Sequence, residues 1–406
     1  STSFALNLSG INTDGFSAFI PNDSAPANDR NTDKDTYRNR AVSSNLTHQF
    51  TDEIKIDFQY FLTTGRLMFD NAFANWDPTY IDYKNKTKQE AYSTKLTGNI
   101  NDYWESSIKI GKSTDLSSNQ QNGGVPDEVN KFETSQYQLA WQNNINLDHG
   151  SLVLLYDFLK EKNDTTQIYD KDERDNHGFV LGYNTQYEKH ILQTSLREDI
   201  NSQYDNETTG SIGYAYQINS QWKVSSSFGT AFVAPTFDYL YFPGGYANPD
   251  LKPETSTNTS IGFVYSPSVV DGFTMTYDNW EIEKEDTIVL LGRNNRLVED
   301  LVLRLEHGPN NCSAFSNPNV LRDQDAGYTD EEVALFSAKG ICPAGEAQIV
   351  YDPYANAATR KIAGQDIGLY YDIDTDFGRF KLSANYSKTD DLEKMNALGV
   401  SQYGQM

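Results

Sequence analysis

The chain has 406 residues, and its 37% of hydrophobic residues is low for the two or three globular domains that this length would suggest. Aromatic residues make up 13%, mainly 26 tyrosines and 21 phenylalanines, and 33 basic against 57 acidic residues leave a formal charge of −24. This charge disfavours nucleic acid as a partner, because its phosphates would be repelled, and no run approaches the roughly 20 apolar residues of a membrane-spanning helix.

Runs of about nine to eleven residues, in which every second side chain is apolar, recur along the chain. They begin with 54–62, 96–100, 104–110 and 152–158. Polar side chains such as Lys55 stand between the apolar ones, so each run predicts a β-strand with one apolar and one polar face.

Short reversals alternate with long polar connectors between these strands. The short reversals fall at 51–53, 101–102, 148–150, 187–189, 219–221 and 374–378. The long connectors cover 11–39, 64–91, 113–133, 160–176, 230–256 and 286–361. Short turns at one rim and long loops at the other are typical of outer-membrane barrels, whereas a soluble sandwich would show no such preference. We therefore predict one domain over 1–406, an all-β antiparallel transmembrane β-barrel with extracellular loops that include 11–39, 64–91, 230–256 and 286–361.

Both cysteines of the chain, Cys312 and Cys342, lie in the longest connector. An even pair in one polar loop favours a disulfide formed in an oxidising compartment, and two free thiols are the alternative. Neither cysteine has the neighbouring histidines or cysteines that a zinc site would need.

One segment carries a motif that is long and ordered. Residues 228–241 read FGTAFVAPTFDYLY, and residues 248–256 read NPDLKPETS. Pro235 lacks a ladder donor and is expected to end the strand that starts at Trp222, and Glu254 is expected to begin the next strand. The segment resembles the TonB-dependent outer-membrane receptors, whose barrels carry a similar stretch. The resemblance implies residence in the bacterial outer membrane.

Within that family, residues 1–265 are most similar to the cobalamin receptor branch, through the stretches 32–37, 44–52, 141–144 and 149–151. Beyond 266, the chain looks more like receptors of other or unassigned substrates. The resemblance implies cobalamin or another corrinoid as ligand, with a ferric siderophore as the alternative. A passive porin and a soluble adhesin or lectin-like sandwich are further alternatives, although the block 228–263, which contains this motif, argues against a porin.

Four aspartates form a candidate calcium site: Asp33, Asp35, Asp70 and Asp82. Hard cations need six to eight oxygen ligands, which carboxylates of neighbouring loops supply. The resemblance implies calcium here, since the cobalamin branch binds it through an Asp-x-Asp in one outer loop and two aspartates, one after an aromatic residue, in the next. Solvated loop acids are the alternative. A further family aspartate falls at Ser17, with Asp14 as its nearest substitute.

Four aromatic residues in the same region are candidates for ligand contact: Phe69, Phe73, Trp76 and Tyr80. Their rings would stack on a large planar ligand, and their alternative role is loop packing.

No catalytic constellation is visible, and the five histidines are scattered singly, so we expect no enzyme. The resemblance implies a separate N-terminal plug domain that contacts TonB, and nothing in this sequence matches it. We therefore expect an incomplete barrel, with the plug absent and about fifteen of roughly 22 strands present. Outer-membrane lipid, the ligand, and TonB through that plug are the expected partners.

Overall fold

The computed structural model describes residues 1–16, 34–70, 82–122, 129–243, 247–290, 354–395 and 401–403. These residues form sixteen β-strands and one short α-helix. The strands are β1 (Thr2–Thr13), β2 (Tyr37–Gln49), β3 (Ile54–Asp70), β4 (Asp82–Asn101), β5 (Trp104–Asn122), β6 (Val129–Leu147), β7 (Gly150–Thr165), β8 (Glu173–Tyr187), β9 (His190–Asn201), β10 (Glu207–Gln217), β11 (Trp222–Val233), β12 (Glu254–Tyr265), β13 (Phe273–Leu290), β14 (Tyr354–Thr375), β15 (Gly378–Met395) and β16 (Ser401–Tyr403), and helix α1 is Phe237–Tyr241. Among these residues, no helix combines the length and the apolar character needed to cross a membrane.

The chain divides into two compact units, residues 1–184 with 195–208 and residues 185–194 with 209–406. Within each unit the strands pair antiparallel and in chain order. Direct connections account for this order, because each connector, short or long, returns the chain beside the strand that it has just left. The predicted all-β class of antiparallel strands is confirmed.

One face of the first unit is apolar. Leu96, Ile108, Trp141, Tyr156 and Phe179 are successive register partners across β4 to β8. Four of these side chains, all except that of Tyr156, are 47–49% exposed. Because partners in an antiparallel ladder project to the same side, the alternating sequence builds a continuous apolar surface rather than a buried core.

Aromatic residues border this apolar surface. Toward one end, Lys112 lies opposite Tyr137, with its Nζ 4.9 Å from the centre of the ring. Toward the other end, Trp104 lies opposite Ile145. From Tyr137 to Ile145 a strand rises about 26 Å, or roughly 20 Å across a bilayer at a tilt of about 40°. This height is close to that of the apolar band of an outer-membrane barrel.

The opposite face of each unit is polar. In the first unit, Gln89 donates through its side-chain nitrogen to Asp115 Oδ2 at 3.0 Å, and Thr63 lies in the same row. In the second unit, Asp278 lies opposite Gly262 on β12 and opposite Asp366 on β14. One row beside it is apolar and consists of Val224, Phe263, Tyr277 and Ile367, which are successive register partners.

The six predicted reversals all fall where consecutive strands meet, but the strands are longer than predicted. Residues 64–70 and 82–91 of the predicted connector 64–91 belong to β3 and β4, which narrows the connector to 71–81. The ladder continues there because backbone hydrogen bonds need no apolar side chain. The same extension shortens the connectors 11–39, 230–256 and 286–361 at both ends.

Connector length alternates less strictly than the sequence predicted. Residues 266–272 join β12 to β13 at the end of the strands where the other connectors are tight reversals. This connector is as long as 166–172, which lies within a predicted long loop.

The motif at 228–256 forms a small core in the second unit. Strand β11 ends at Val233, two residues before Pro235, and β12 begins at Glu254, as the motif predicted although the connector bounds 230–256 did not. Helix α1 between them was not predicted. Its N-cap is Thr236, whose hydroxyl accepts from the Tyr239 amide at 3.2 Å. The hydrophobic residues that are buried among the described ones are Phe237, Leu240, Tyr241, Leu251 and Ala358, so all except Ala358 come from this motif.

Candidate ligand-binding face

The backbone register brings three of the predicted calcium ligands to one end of the first unit. Asp70 and Asp82 are the last and first residues of β3 and β4, and they are register partners. The Thr36 carbonyl accepts from the Met68 amide at 2.9 Å, which extends the ladder between β2 and β3 toward Asp35. Asp33 lies outside the described residues. Asp35 lies two residues before β2, and Asp70 and Asp82 lie at the adjoining ends of β3 and β4. The backbone therefore places the three residues close together at the same end of the sheet.

A glycine holds the two ends of the first connector together. Gly15 has a φ of +63°, and a Cβ there would lie 2.0 Å from the carbonyl oxygen of Asp35. Only glycine allows this approach without strain. The contact also brings the neighbouring Asp14 close to the segment of Asp35. The calcium site itself stays a prediction, and no group of three possible metal ligands forms among the side chains that the structure describes.

Of the aromatic candidates, Phe69 is half-buried on β3 and lies opposite Tyr83 on β4. Phe73, Trp76 and Tyr80 lie outside the described residues, as do Cys312 and Cys342.

A network of charged side chains on the polar face of the first unit was missed in the sequence. Arg197 on β9 donates through Nη1 to Asp157 Oδ1 at 2.8 Å and through Nη2 to Asp157 Oδ2 at 3.2 Å. It also donates through Nε and Nη2 to the two carboxylate oxygens of Asp199, both at 2.6 Å. Asp199 is only 1% exposed and accepts a further bond from Asn176 at 2.7 Å. Because the Arg197 guanidinium lies between the carboxylates of Asp157 and Asp199, its positive charge offsets the cost of burying the negative charge of Asp199.

The network continues toward the long connectors of the first unit. Arg174 donates to Glu161, and Glu161 also accepts from Gln136 at 3.1 Å. Tyr204 lies nearby in the connector between β9 and β10, where burial raises the pKa of its hydroxyl to about 12. The spacing of Arg197 and Asp199 at i and i+2 was the one available signal, since in a β-strand it puts both side chains on the same face.

The polar face of the second unit carries an aromatic ring. Trp280 donates through Nε1 to Asp366 Oδ2 at 2.8 Å, and Ser387 donates to the other oxygen of the same carboxylate. A Cβ on Gly364 would lie 2.7 Å from the Trp280 ring, so the indole lies close over the backbone of β14. Lys284 and Arg360 face each other two rows further along this face. Such a surface offers stacking, hydrogen bonding and positive charge to a solute.

The described geometry agrees with the comparisons. The family model "TonB dependent receptor-like, beta-barrel" matches residues 2–404. The chain is 28% identical over 243 residues to a vitamin B12 transporter, BtuB, from Photobacterium profundum, which covers 59% of this chain and 38% of that protein. It is 25% identical over 272 residues to the vitamin B12 transporter BtuB of Vibrio vulnificus, which covers 64% of this chain and 41% of that protein. The chain thus spans about two-fifths of the length of the curated relatives that it matches.

Solved structures show the same fold at lower identity. The siderophore receptor PirA from Acinetobacter baumannii matches with a TM-score of 0.66 and 13% identity, over 97% of this chain and 60% of that one. A point mutant of the ferric enterobactin receptor PfeA from Pseudomonas aeruginosa, in complex with enterobactin, matches with a TM-score of 0.64 and 13% identity, over 97% of this chain and 62% of that one. These likenesses establish the fold.

The family is one of outer-membrane receptors and transporters rather than enzymes, and its assignment removes the porin and soluble-sandwich alternatives. The chain belongs to the TonB-dependent receptor family, and its residues 2–404 match the outer-membrane β-barrel domain of that family.

Proposed function

We propose that this chain forms the barrel of an outer-membrane receptor that takes up cobalamin or another corrinoid. The observation that carries the proposal is the similarity to two vitamin B12 transporters, at 28% and 25% identity. Uptake energised through TonB is part of the proposal for the whole protein.

The two faces of each unit suit this role. The apolar face supplies a surface for lipid, and the polar face supplies hydrogen-bonding groups to a water-filled interior. The carboxylates and amides around Arg197 are fixed by their mutual hydrogen bonds, so they present a firm wall to a passing solute. Trp280 offers a flat apolar surface on a face that is otherwise polar, which suits a large planar ring system.

Calcium would order the loops that capture the ligand. Asp35, Asp70 and Asp82 supply carboxylates of the kind that calcium prefers, and the register of β3 and β4 supports their proximity. A cation that binds the folded loops better than the open ones would stabilise the ligand-competent arrangement. Calcium is therefore proposed to tighten ligand binding rather than to take part in transport chemistry.

The test is equilibrium binding of cyanocobalamin to the protein expressed from its whole reading frame, with calcium and with a chelator. We expect calcium to tighten binding at least about tenfold, and a double variant Asp35→Asn with Asp70→Asn to lose that effect. Asp374→Asn is the matched control, because Asp374 is an exposed acid at the short-turn end of β14. Absence of cyanocobalamin binding in both conditions would overturn the corrinoid assignment. Binding that ignores calcium would overturn the calcium site alone.

A ferric siderophore is the second candidate. The observation that favours it is the cationic pair Lys284 and Arg360 on the polar face, since many iron chelates are anionic. Binding of ferric enterobactin, measured beside cyanocobalamin on the same preparation, decides between the two. Saturable binding of the iron complex without binding of the corrinoid would support this candidate.

A further inference from the structure

A groove crosses the apolar face of the first unit. Its walls are the side chains of Trp141, Leu154, Tyr156, Phe179, Leu181 and Leu196. Two consecutive outward rows build it, because Trp141, Tyr156 and Phe179 are register partners and so are Leu154 and Leu181. The Tyr156 and Phe179 rings are 5.2 Å apart and form one part of the wall.

The groove lies well inside the apolar band. Trp141 stands midway along β6 between Tyr137 and Ile145, which mark the aromatic borders described above. A strand rises about 13 Å over the four residues from either border to Trp141. In a barrel of this family the apolar face contacts the membrane, so the groove opens toward acyl chains rather than toward water.

Three polar residues interrupt this apolar lining: Asn143, Glu198 and Thr208. Asn143 lies opposite Leu154, and its side-chain oxygen accepts from Trp104 Nε1 at 3.1 Å. Glu198 and Thr208 both line the groove, and the Thr208 hydroxyl donates to Glu198 Oε2. Glu198 stands between Leu196 and Ile200, which are 55% and 42% exposed on the same side of β9. A carboxylate that faces hydrocarbon is costly, and it has room for about four hydrogen bonds, so one donor from Thr208 leaves capacity for another.

This Glu198 is separate from the charged network around Arg197. Arg197 and Asp199 alternate with Glu198 along β9 and therefore project to the polar side of the sheet. Their bonds to Asp157 and Asn176 satisfy them there. The Glu198 carboxylate therefore does not stabilise that network. The network does not explain why a carboxylate stands in the apolar groove.

We propose that the groove binds one acyl chain of an outer-membrane lipid, and that Glu198 selects a chain with a hydrogen-bond donor, such as a hydroxyl, along its length. The apolar walls bury the chain, and the hydroxyl donates to the free acceptor sites of the Glu198 carboxylate. The occupant is a lipid because the groove opens at the membrane-facing surface between two aromatic borders. A hydroxylated chain satisfies the carboxylate, which a plain hydrocarbon chain leaves without a second donor.

The test measures lipid retention by native mass spectrometry on the detergent-purified protein. The probes are two phosphatidylcholines, one with 12-hydroxyoctadecanoyl chains and one with octadecanoyl chains. We expect the hydroxylated lipid to be retained about tenfold more, a preference that Glu198→Leu abolishes. Leu181→Trp, which fills the groove, should lower retention of both lipids.

The matched control is Leu96→Trp, which adds the same ring to the same apolar face outside the groove. It should leave retention of both lipids unchanged. Equal retention of the two probes by the unmodified protein would overturn the selective role of Glu198. If the Leu181→Trp variant retains as much lipid as the Leu96→Trp control does, the groove is not the binding site. The folded state of each variant is checked by its gel mobility before and after heating.

Discussion

The guanidinium of Arg197 lies directly against the backbone of Gly178. A Cβ built on Gly178 would be 2.2 Å from Nη2 of Arg197 and 2.7 Å from Asp157 Oδ1. The missing side chain on β8 therefore makes the space in which Arg197 reaches across from β9 to Asp157 on β7. One glycine thus permits the charged network on the polar face.

Replacing Gly178 by alanine should disrupt this network. The new methyl group displaces the guanidinium, and Asp199 is then left buried with weakened pairing, so we expect a loss of about 2 to 3 kcal/mol in the free energy of unfolding. Guanidinium unfolding in detergent micelles, followed by tryptophan fluorescence, measures the change. Gly98→Ala is the control, since a Cβ at Gly98 meets no atom within 4 Å. Equal effects of the two substitutions would show that Gly178 is not needed for the packing of Arg197.

Removing the guanidinium of Arg197 should lower the free energy of unfolding more than removing that of an exposed arginine. Arg197→Ala leaves the carboxylate of Asp199, 1% exposed, without its main partner, and we expect a loss of about 3 kcal/mol. The comparison is Arg379→Ala, which breaks a bidentate pair with Asp372 near an exposed turn, and this change should have little effect. The same unfolding assay reports both. A small effect at position 197 would mean that water or another group already solvates Asp199.

The buried residues of the motif around α1 should stabilise the fold as a hydrophobic core. Leu240 is 2% exposed, and Leu240→Ala should lower the free energy of unfolding by about 3 kcal/mol through the cavity that it leaves. Leu382→Ala removes the same atoms from a side chain that is 61% exposed, and it should cost much less. If both variants unfold at the same denaturant concentration, the motif serves contact with a ligand or partner rather than packing.

Titration of the tyrosine hydroxyls at alkaline pH should reveal Tyr204 by its raised pKa. Burial raises the pKa of its hydroxyl to about 12, above its ordinary value of 10.0. The unfolded chain therefore loses this proton at lower pH than the folded chain, so stability falls as the pH rises from about 10 to about 12. The difference between the 295 nm titrations of the unmodified protein and Tyr204→Phe should show a step near pH 12. A step near pH 10 would mean that the hydroxyl is solvated.

The sequence predicted the apolar rows well. Alternation at positions such as Ile108 and Ile110 requires that one face be apolar, and β-strand geometry leaves no other arrangement for it. The ends of the strands were predicted poorly, because β3 and β4 continue through residues such as Arg66 and Lys84, where apolar and polar residues no longer alternate. Backbone pairing there depends on the neighbouring strand, which local sequence does not reveal.

The candidate site likewise has a part that the sequence predicted and a part that it did not. Asp70 and Asp82 were expected near each other because both fell in one predicted loop, 64–91, but their pairing at the ends of β3 and β4 was not predicted. The bond between Arg197 and Asp157 joins residues on β9 and β7 across the intervening strand, so only the register of three strands together reveals it. Helix α1 is one short turn in a connector, and its Thr236 cap is the single local signal that favoured it.

Nitroxide scanning along β5 tests most directly whether the apolar face meets lipid and the polar face meets water. Labels are placed at 108, 109 and 110 in turn, with Cys312 and Cys342 replaced by serine, and the protein is reconstituted in lipid bilayers. We predict that molecular oxygen, which partitions into lipid, relaxes the labels at 108 and 110 most strongly, and that a water-soluble nickel chelate relaxes the label at 109. Labels that are equally shielded at all three positions, or a reversed alternation, would contradict the membrane-barrel account.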